Sequence, residues 1–155
     1  MAEHGITSFG AYIPRLRLQR SAILEANTWA NSALGAHGKG ERSMCNWDED
    51  SVTMAVEAAR DTLGERDRSN IGAVHLASTT LPFTDRQNAG IVAEALNLGE
   101  HIGTLDVTSS QRAGTTALIN ALNTVAAGAV DSLLLCAAEH RKSQTGTPQE
   151  LLYGD

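Results

Sequence analysis

Apolar residues along this chain fall into two alternating rhythms. Short continuous apolar runs at 71–77, 102–107 and 132–138 have the length of buried strands, and helical recurrence fills the segments between them. Val52, Ala55, Val56, Ala59 and Leu63 repeat at three- and four-residue intervals. Asp48, Glu49 and Asp50 open that helix with acid where the helix dipole is positive, and Gly64 supplies the stop. Residues 88–98, closed by Gly99, and 113–127 predict two further helices, and 21–30 a shorter one. Residues 5–13 read as a first strand, ended by Pro14, which cannot donate to a ladder. Residues 31–46, with Gly35, Gly38 and Gly40 close together, read as a loop, as do 139–148; 108–112 read as a tight polar turn. Strands alternating with helices at this spacing predict parallel βαβ crossovers and an α/β layered fold, with no internal repeat or linker.

Two features refine this expectation. The helix over 113–127 carries no charge on any face, and a helix that is neutral all round is expected to be buried all round. Outer helices of a simple α/β sandwich expose a charged face, so this one is expected between two sheets. Residues 151–155 show no closing element, so the chain reads as half a domain.

Hydrophobic residues make up 42% of the chain and charged residues 19%, a globular balance. Aromatics are only 4%, so Ala, Leu, Val and Ile must build the core through close helix–sheet packing. The net charge of -6 argues against a nucleic-acid binder. Cys45 and Cys136 are too few for a disulfide framework or a zinc motif. Residues 1–5 lack the basic start of a signal peptide, and the charge-free stretch 113–130 is too rich in Gly, Thr and Asn to span a membrane. A cytoplasmic protein is the expectation.

The chemistry centres on the strand 102–107, the turn Thr108-Ser109-Ser110-Gln111-Arg112 and the helix opened by Ala113-Gly114-Thr115. Such an elbow presents a side chain above a helix N-terminus, where backbone N–H groups favour negative charge. Elbows of this kind lower a thiol pKa or stabilise an oxyanion. Strand–turn–helix units are common, and the pattern alone says little.

Family resemblance adds weight. Residues 5–15 resemble the opening of bacterial and archaeal hydroxymethylglutaryl-CoA synthases, and Asp48-Glu49-Asp50-Ser51-Val52-Thr53-Met54-Ala55-Val56-Glu57-Ala58-Ala59-Arg60 resembles their next helix. Ile91-Val92-Ala93-Glu94-Ala95-Leu96, Arg112-Ala113-Gly114-Thr115 and Leu152-Tyr153-Gly154-Asp155 continue the match in order. The resemblance, to hydroxymethylglutaryl-CoA synthase-like and ketoacyl synthase III-like members of the thiolase superfamily, implies a layered αβαβα sandwich. By the same resemblance residues 1–155 are expected to be its N-terminal half, βαβαβαβ with a mainly parallel sheet. It also implies a CoA thioester as substrate with no permanently bound cofactor, a complementary C-terminal half, and homodimers or hetero-oligomers.

Gln111 stands where the family carries its acylated cysteine, and Thr79 falls at about the position of its catalytic glutamate. An amide cannot become an acyl-enzyme, and a threonine cannot act as a carboxylate base. In the wider superfamily a Cys-to-Gln exchange occurs in decarboxylating ketosynthase domains, and some thiolase-like aldolases dispense with the acylated cysteine. The expectation is C–C bond formation or cleavage on an acyl-CoA without an acyl-cysteine intermediate. The alternative is a non-catalytic subunit or scaffold that binds acyl-CoA or a partner enzyme.

Other residues have a functional and a plain reading. Glu139 and His140 follow the strand 132–138 at its C-terminal end, where α/β proteins place functional groups, although such a pair also serves as a loop anchor. Ser109 or Ser110 reads as a displaced nucleophile only if a base is near. Arg112, Ser110 and Arg15 are candidates for substrate or CoA binding; Arg17, Arg20, Lys39 and Arg42 also suit phosphates, or are solvated charges. Asp85 and Arg86 read as a surface ion pair, Cys136 as a buried small hydrophobe, and Cys45 as an exposed thiol. The five histidines have no ligand spacing, so no metal site is expected from sequence.

Overall fold

The computed structural model describes residues 4–155; residues 1–3, part of the segment read as lacking a signal peptide, lie outside the described range. In chain order the elements are β1 (Leu16–Gln19), α1 (Arg20–Asn27), a 3₁₀ helix (Ser32–His37), β2 (Glu41–Met44), α2 (Ser51–Leu63), β3 (Ile71–Ala77), α3 (Asn88–Ala95), β4 (Gly103–Val107), α4 (Ala113–Ala126), β5 (Ser132–Ala137) and α5 (Pro148–Leu152). They form two compact units, one of Met1–Tyr12 with Asp50–Glu139, the other of Ile13–Glu49 with His140–Asp155.

The first unit is a three-stranded parallel sheet in the order β4-β3-β5. Side chains alternate across a strand, so each strand serves both faces. Val74, Leu76, Leu134 and Cys136 pack with Val52, Ala55, Val56, Ala59 and Leu63 of α2 and Ala89, Val92 and Ala93 of α3. On the opposite face Ala77 packs with Ala113 and Ala117 of α4, flanked by Val107 and Leu135. Burying each of the larger aliphatic side chains contributes about 1.5–3 kcal/mol, and the alanines on the α4 face let the helix approach the sheet closely.

Helix α2 begins as its acidic start predicts. The Asp50 carboxylate accepts from the backbone N–H groups of Val52 (2.9 Å) and Thr53 (2.8 Å), while the Asp50 N–H donates to Thr53 Oγ1 (2.7 Å). This capping box satisfies donors that a helix start leaves open. Gly64, at φ 49°, closes the helix. Helix α3 ends at Ala95, short of the predicted Leu98, because Asn97 turns into the left-handed region at φ 51°.

Residues 5–13 do not form the predicted strand. They run as irregular chain, with Ile6 69% and Phe9 90% exposed, and are fastened by side chains: Ser8 Oγ donates to Thr62 O (2.7 Å), and the Ala11 N–H donates to Asp61 Oδ2 (2.9 Å). A Cβ on Gly10 would lie 2.4 Å from the Thr62 backbone nitrogen, so only glycine fits that approach. The parallel sheet therefore has three strands where the βαβαβαβ pattern predicted four.

Helix α4 is not buried all round. Ala113, Ala117 and Ala121 face inward, while Leu118, Ile119 and Leu122 are exposed. Among the described residues a sheet covers one side of α4 only, and no second sheet lies against it.

The second unit pairs β1 with β2 in antiparallel register, Leu16 opposite Met44 and Gln19 opposite Glu41. β2 and the 3₁₀ helix lie within the predicted loop 31–46. Ile23, Leu34 and Leu151 form this unit's core, with Leu18 and Leu24 packed against it. α5 brings Leu151 into that core, and Arg20 Nε donates to Leu151 O (2.7 Å).

Candidate functional site at the C-terminal edge of the parallel sheet

Ala77 is in register with Val107 on one side and Ala137 on the other. The ladder continues one step further, through Ser78 N–H to Val107 O (3.0 Å) and Ala138 N–H to Ala77 O (3.1 Å). Residues 78–80, 108–112 and 138–139 therefore leave the same edge of the sheet side by side, at the carboxyl ends where open α/β sheets bind ligands.

The elbow after β4 carries backbone strain. Ser109 adopts φ 66°, a left-handed conformation that costs a non-glycine residue about 1–3 kcal/mol. The Arg112 N–H donates to Ser110 Oγ (3.1 Å), and the Ala113 N–H to Ser110 O (2.9 Å), which tightens the turn. Gln111 and Arg112 are exposed at its tip, immediately before α4. No side-chain cap closes the start of α4, so the positive end of its dipole follows directly on Gln111 and Arg112.

Thr79 lies at the neighbouring strand end. Its backbone N–H donates to Glu139 Oε1 (2.9 Å) and its hydroxyl to Glu139 Oε2 (2.8 Å); Thr80 Oγ1 donates to the same Oε2 (3.2 Å). The Thr79 position thus holds a carboxylate that comes from the segment following β5 rather than from its own side chain. Thr80 is in turn fixed by Ser78, whose buried hydroxyl accepts the Thr80 N–H (3.0 Å), and by Ser51 Oγ, which donates to Thr80 O (2.8 Å). The loop toward α3 is held by Asn88, which bonds both N–H and C=O of Phe83, and by Asp106, which accepts the N–H groups of Asn88 (2.8 Å) and Ala89 (2.7 Å).

Gln111, Ser110, Arg112 and Thr79 therefore share one sheet edge, and Glu139 joins them. His140 and Arg15 belong to the other unit. Arg17 pairs with Glu41 (3.7 Å), and Arg20 is bonded to the carbonyls of Leu151 and Lys39, so both have structural partners. Asp85 and Arg86 form an exposed ion pair at 3.8 Å, as expected. Cys136 is buried, and burial pushes its thiol up to about 12, which leaves it inert. Cys45 is half-buried rather than exposed. Sequence reasoning missed the Thr79–Glu139 pairing, because its members lie 60 residues apart and only the β3–β5 register brings them together.

No family model matches the chain. It is 31% identical over 150 residues to the hydroxymethylglutaryl-CoA synthase of Methanocella arvoryzae, covering 94% of this chain and 43% of the relative. It is 34% identical over 154 residues to that of Methanosarcina mazei, covering 96% and 42%. Among solved structures it is similar to the β-ketoacyl-[acyl carrier protein] synthase III of Thermus thermophilus, with TM-score 0.82 and 23% identity over 98% of this chain and 49% of that one. The 3-oxoacyl-(acyl carrier protein) synthase III of Pseudomonas aeruginosa gives TM-score 0.82 at 22% identity, over 96% and 47%. The fold and the sequence matches together define a member of the thiolase superfamily, and the chain belongs to it. Within that superfamily it is hydroxymethylglutaryl-CoA synthase-like and ketoacyl synthase III-like, and it spans less than half the length of the relatives it matches.

Proposed function

We propose that this chain forms part of an enzyme that makes or breaks a C–C bond on an acyl-CoA thioester without an acyl-enzyme intermediate. The observation that carries the reading is Gln111, a non-ionisable amide at the tip of a strained elbow, beside an uncapped helix N-terminus. There the amide N–H₂ and the first-turn N–H groups suit the negative charge that develops on a thioester oxygen as an enolate forms. The Glu139 carboxylate, fixed by Thr79 and Thr80, is the proton acceptor in this reading. It stands in for the carboxylate that Thr79 itself does not supply. Arg112 at the elbow is assigned to the substrate's phosphates, and Ser110 to the substrate. Decarboxylation and aldol-type condensation or cleavage both fit, since each passes through an enolate. The proposal includes a complementary C-terminal thiolase half, assembly into homodimers or hetero-oligomers, and a cytoplasmic setting. Among the described residues no helix is long and apolar enough to cross a membrane.

The test is CoA-thioester turnover by the protein carrying both thiolase halves. Gln111→Ala and Glu139→Gln are each expected to lower kcat by roughly 10²–10⁴-fold with little change in CoA binding. Tight CoA binding with no turnover of any acyl-CoA would instead assign the chain to a non-catalytic subunit.

A further inference from the structure

The second unit brings together three donors that sequence spacing keeps far apart. Cys45 follows β2, His140 follows the last strand of the parallel sheet, and Asp155 follows α5. The Cys45 Sγ, an imidazole nitrogen of His140 and a carboxylate oxygen of Asp155 all lie within 4.8 Å of one another, and all three residues are half-buried. The three segments are tied to one another. Asp155 Oδ2 accepts the Cys45 N–H (2.9 Å), Ser43 Oγ donates to Asp155 O (2.6 Å), and Arg141, next to His140, lies over the Tyr153 ring at 5.2 Å.

Asp155 adds a second, independent observation. Its Oδ1 is buried and has no hydrogen-bond partner. A buried carboxylate oxygen without a donor is unfavourable, and a bound cation would supply what is missing.

We propose that Cys45, His140 and Asp155 form a binding site for a divalent transition-metal ion of the zinc class. A thiolate, an imidazole and a carboxylate make a mixed S, N, O donor set, which suits zinc and disfavours magnesium or calcium. Zinc bonds of about 2.0–2.3 Å in a tetrahedron put donor atoms roughly 3.3–3.6 Å apart, so closing the site needs side-chain adjustment of about an ångström. Three protein ligands leave a fourth position open to water or a ligand, unlike a closed four-ligand structural site. The histidines' lack of ligand spacing does not bear on this set, because only one of its members is a histidine and the fold supplies the convergence. The site stands apart from the Gln111 proposal and would survive its failure.

The test uses the tag-free full-length protein, stripped with chelator and titrated with Co²⁺. One equivalent is expected to give tetrahedral visible bands and a thiolate-to-cobalt charge-transfer band, and Zn²⁺ is expected to displace it. Cys45→Ser should abolish the charge-transfer band, and His140→Ala and Asp155→Asn should each weaken Zn²⁺ competition against a chromogenic chelator by about tenfold or more. A readout in the unsubstituted protein covers the case of a misfolded variant: Zn²⁺ should protect Cys45, mapped by mass spectrometry, from alkylation. Failure to bind one equivalent, a charge-transfer band that persists in Cys45→Ser, or alkylation of Cys45 unaffected by Zn²⁺ would each overturn the proposal.

Discussion

At the scale of single residues, His75 is the group whose environment makes the clearest statement about stability. It sits in the central strand β3, buried, with Nδ1 lacking a hydrogen-bond partner. Burial lowers its pKa from the ordinary 6.5, since the charged imidazolium loses its water. The folded state therefore binds this proton less readily than the unfolded state, and stability rises with pH across the window just below 6.5. Above that value the contribution is complete; it is lost as pH falls toward the depressed folded pKa. Thermal unfolding followed through this range should show an acid-side loss that His75→Leu removes. An unchanged acid limb in the variant would mean that His75 is protonated freely in the fold. Position 75 was legible from sequence as strand interior, but its orphaned nitrogen was not, because that depends on which helix covers the strand.

At the scale of elements, legibility followed the strength of the apolar rhythm. The strand 71–77 and the start of the helix at 113 fall where the pattern put them, because continuous apolar runs and an abrupt glycine or polar turn bound them. The strand predicted at 5–13 does not form: Ile6, Phe9 and Ile13 remain exposed, and Ser8 and Ala11 are fastened to Thr62 and Asp61 of α2 instead of to a ladder. Conversely β2, with the sequence Glu-Arg-Ser-Met, has no apolar signal and forms through its register with β1. Local capping was partly readable, since Asp48-Glu49-Asp50 marks the α2 start, and the structure selects Asp50 as the cap. Asp50→Ala should destabilise the protein by about 1 kcal/mol, measured by denaturant unfolding, because two backbone donors lose their acceptor. A change indistinguishable from zero would show that water replaces the cap without cost.

At the scale of the whole molecule, the uncharged helix and the elbow belong to one design. α4 packs small alanines against the sheet on one side and shows Leu118, Ile119 and Leu122 on the other. The sequence rule that a neutral helix is buried all round therefore does not hold for α4 among the described residues, which bury one side of it only. The turn between β4 and α4 was legible because the apolar strand run ends at 107 and the helical pattern begins at 113. The carboxylate at Thr79 was not, because Glu139 reaches it across the sheet. The function proposed above requires that Gln111 form no acyl-enzyme while it sits at the electrostatics of a helix N-terminus. Intact-protein mass spectrometry after incubation with acetyl-CoA measures this most directly. The unsubstituted protein should keep its mass, and Gln111→Cys should gain one acyl group at residue 111. A stable acyl adduct on the unsubstituted chain would contradict the account.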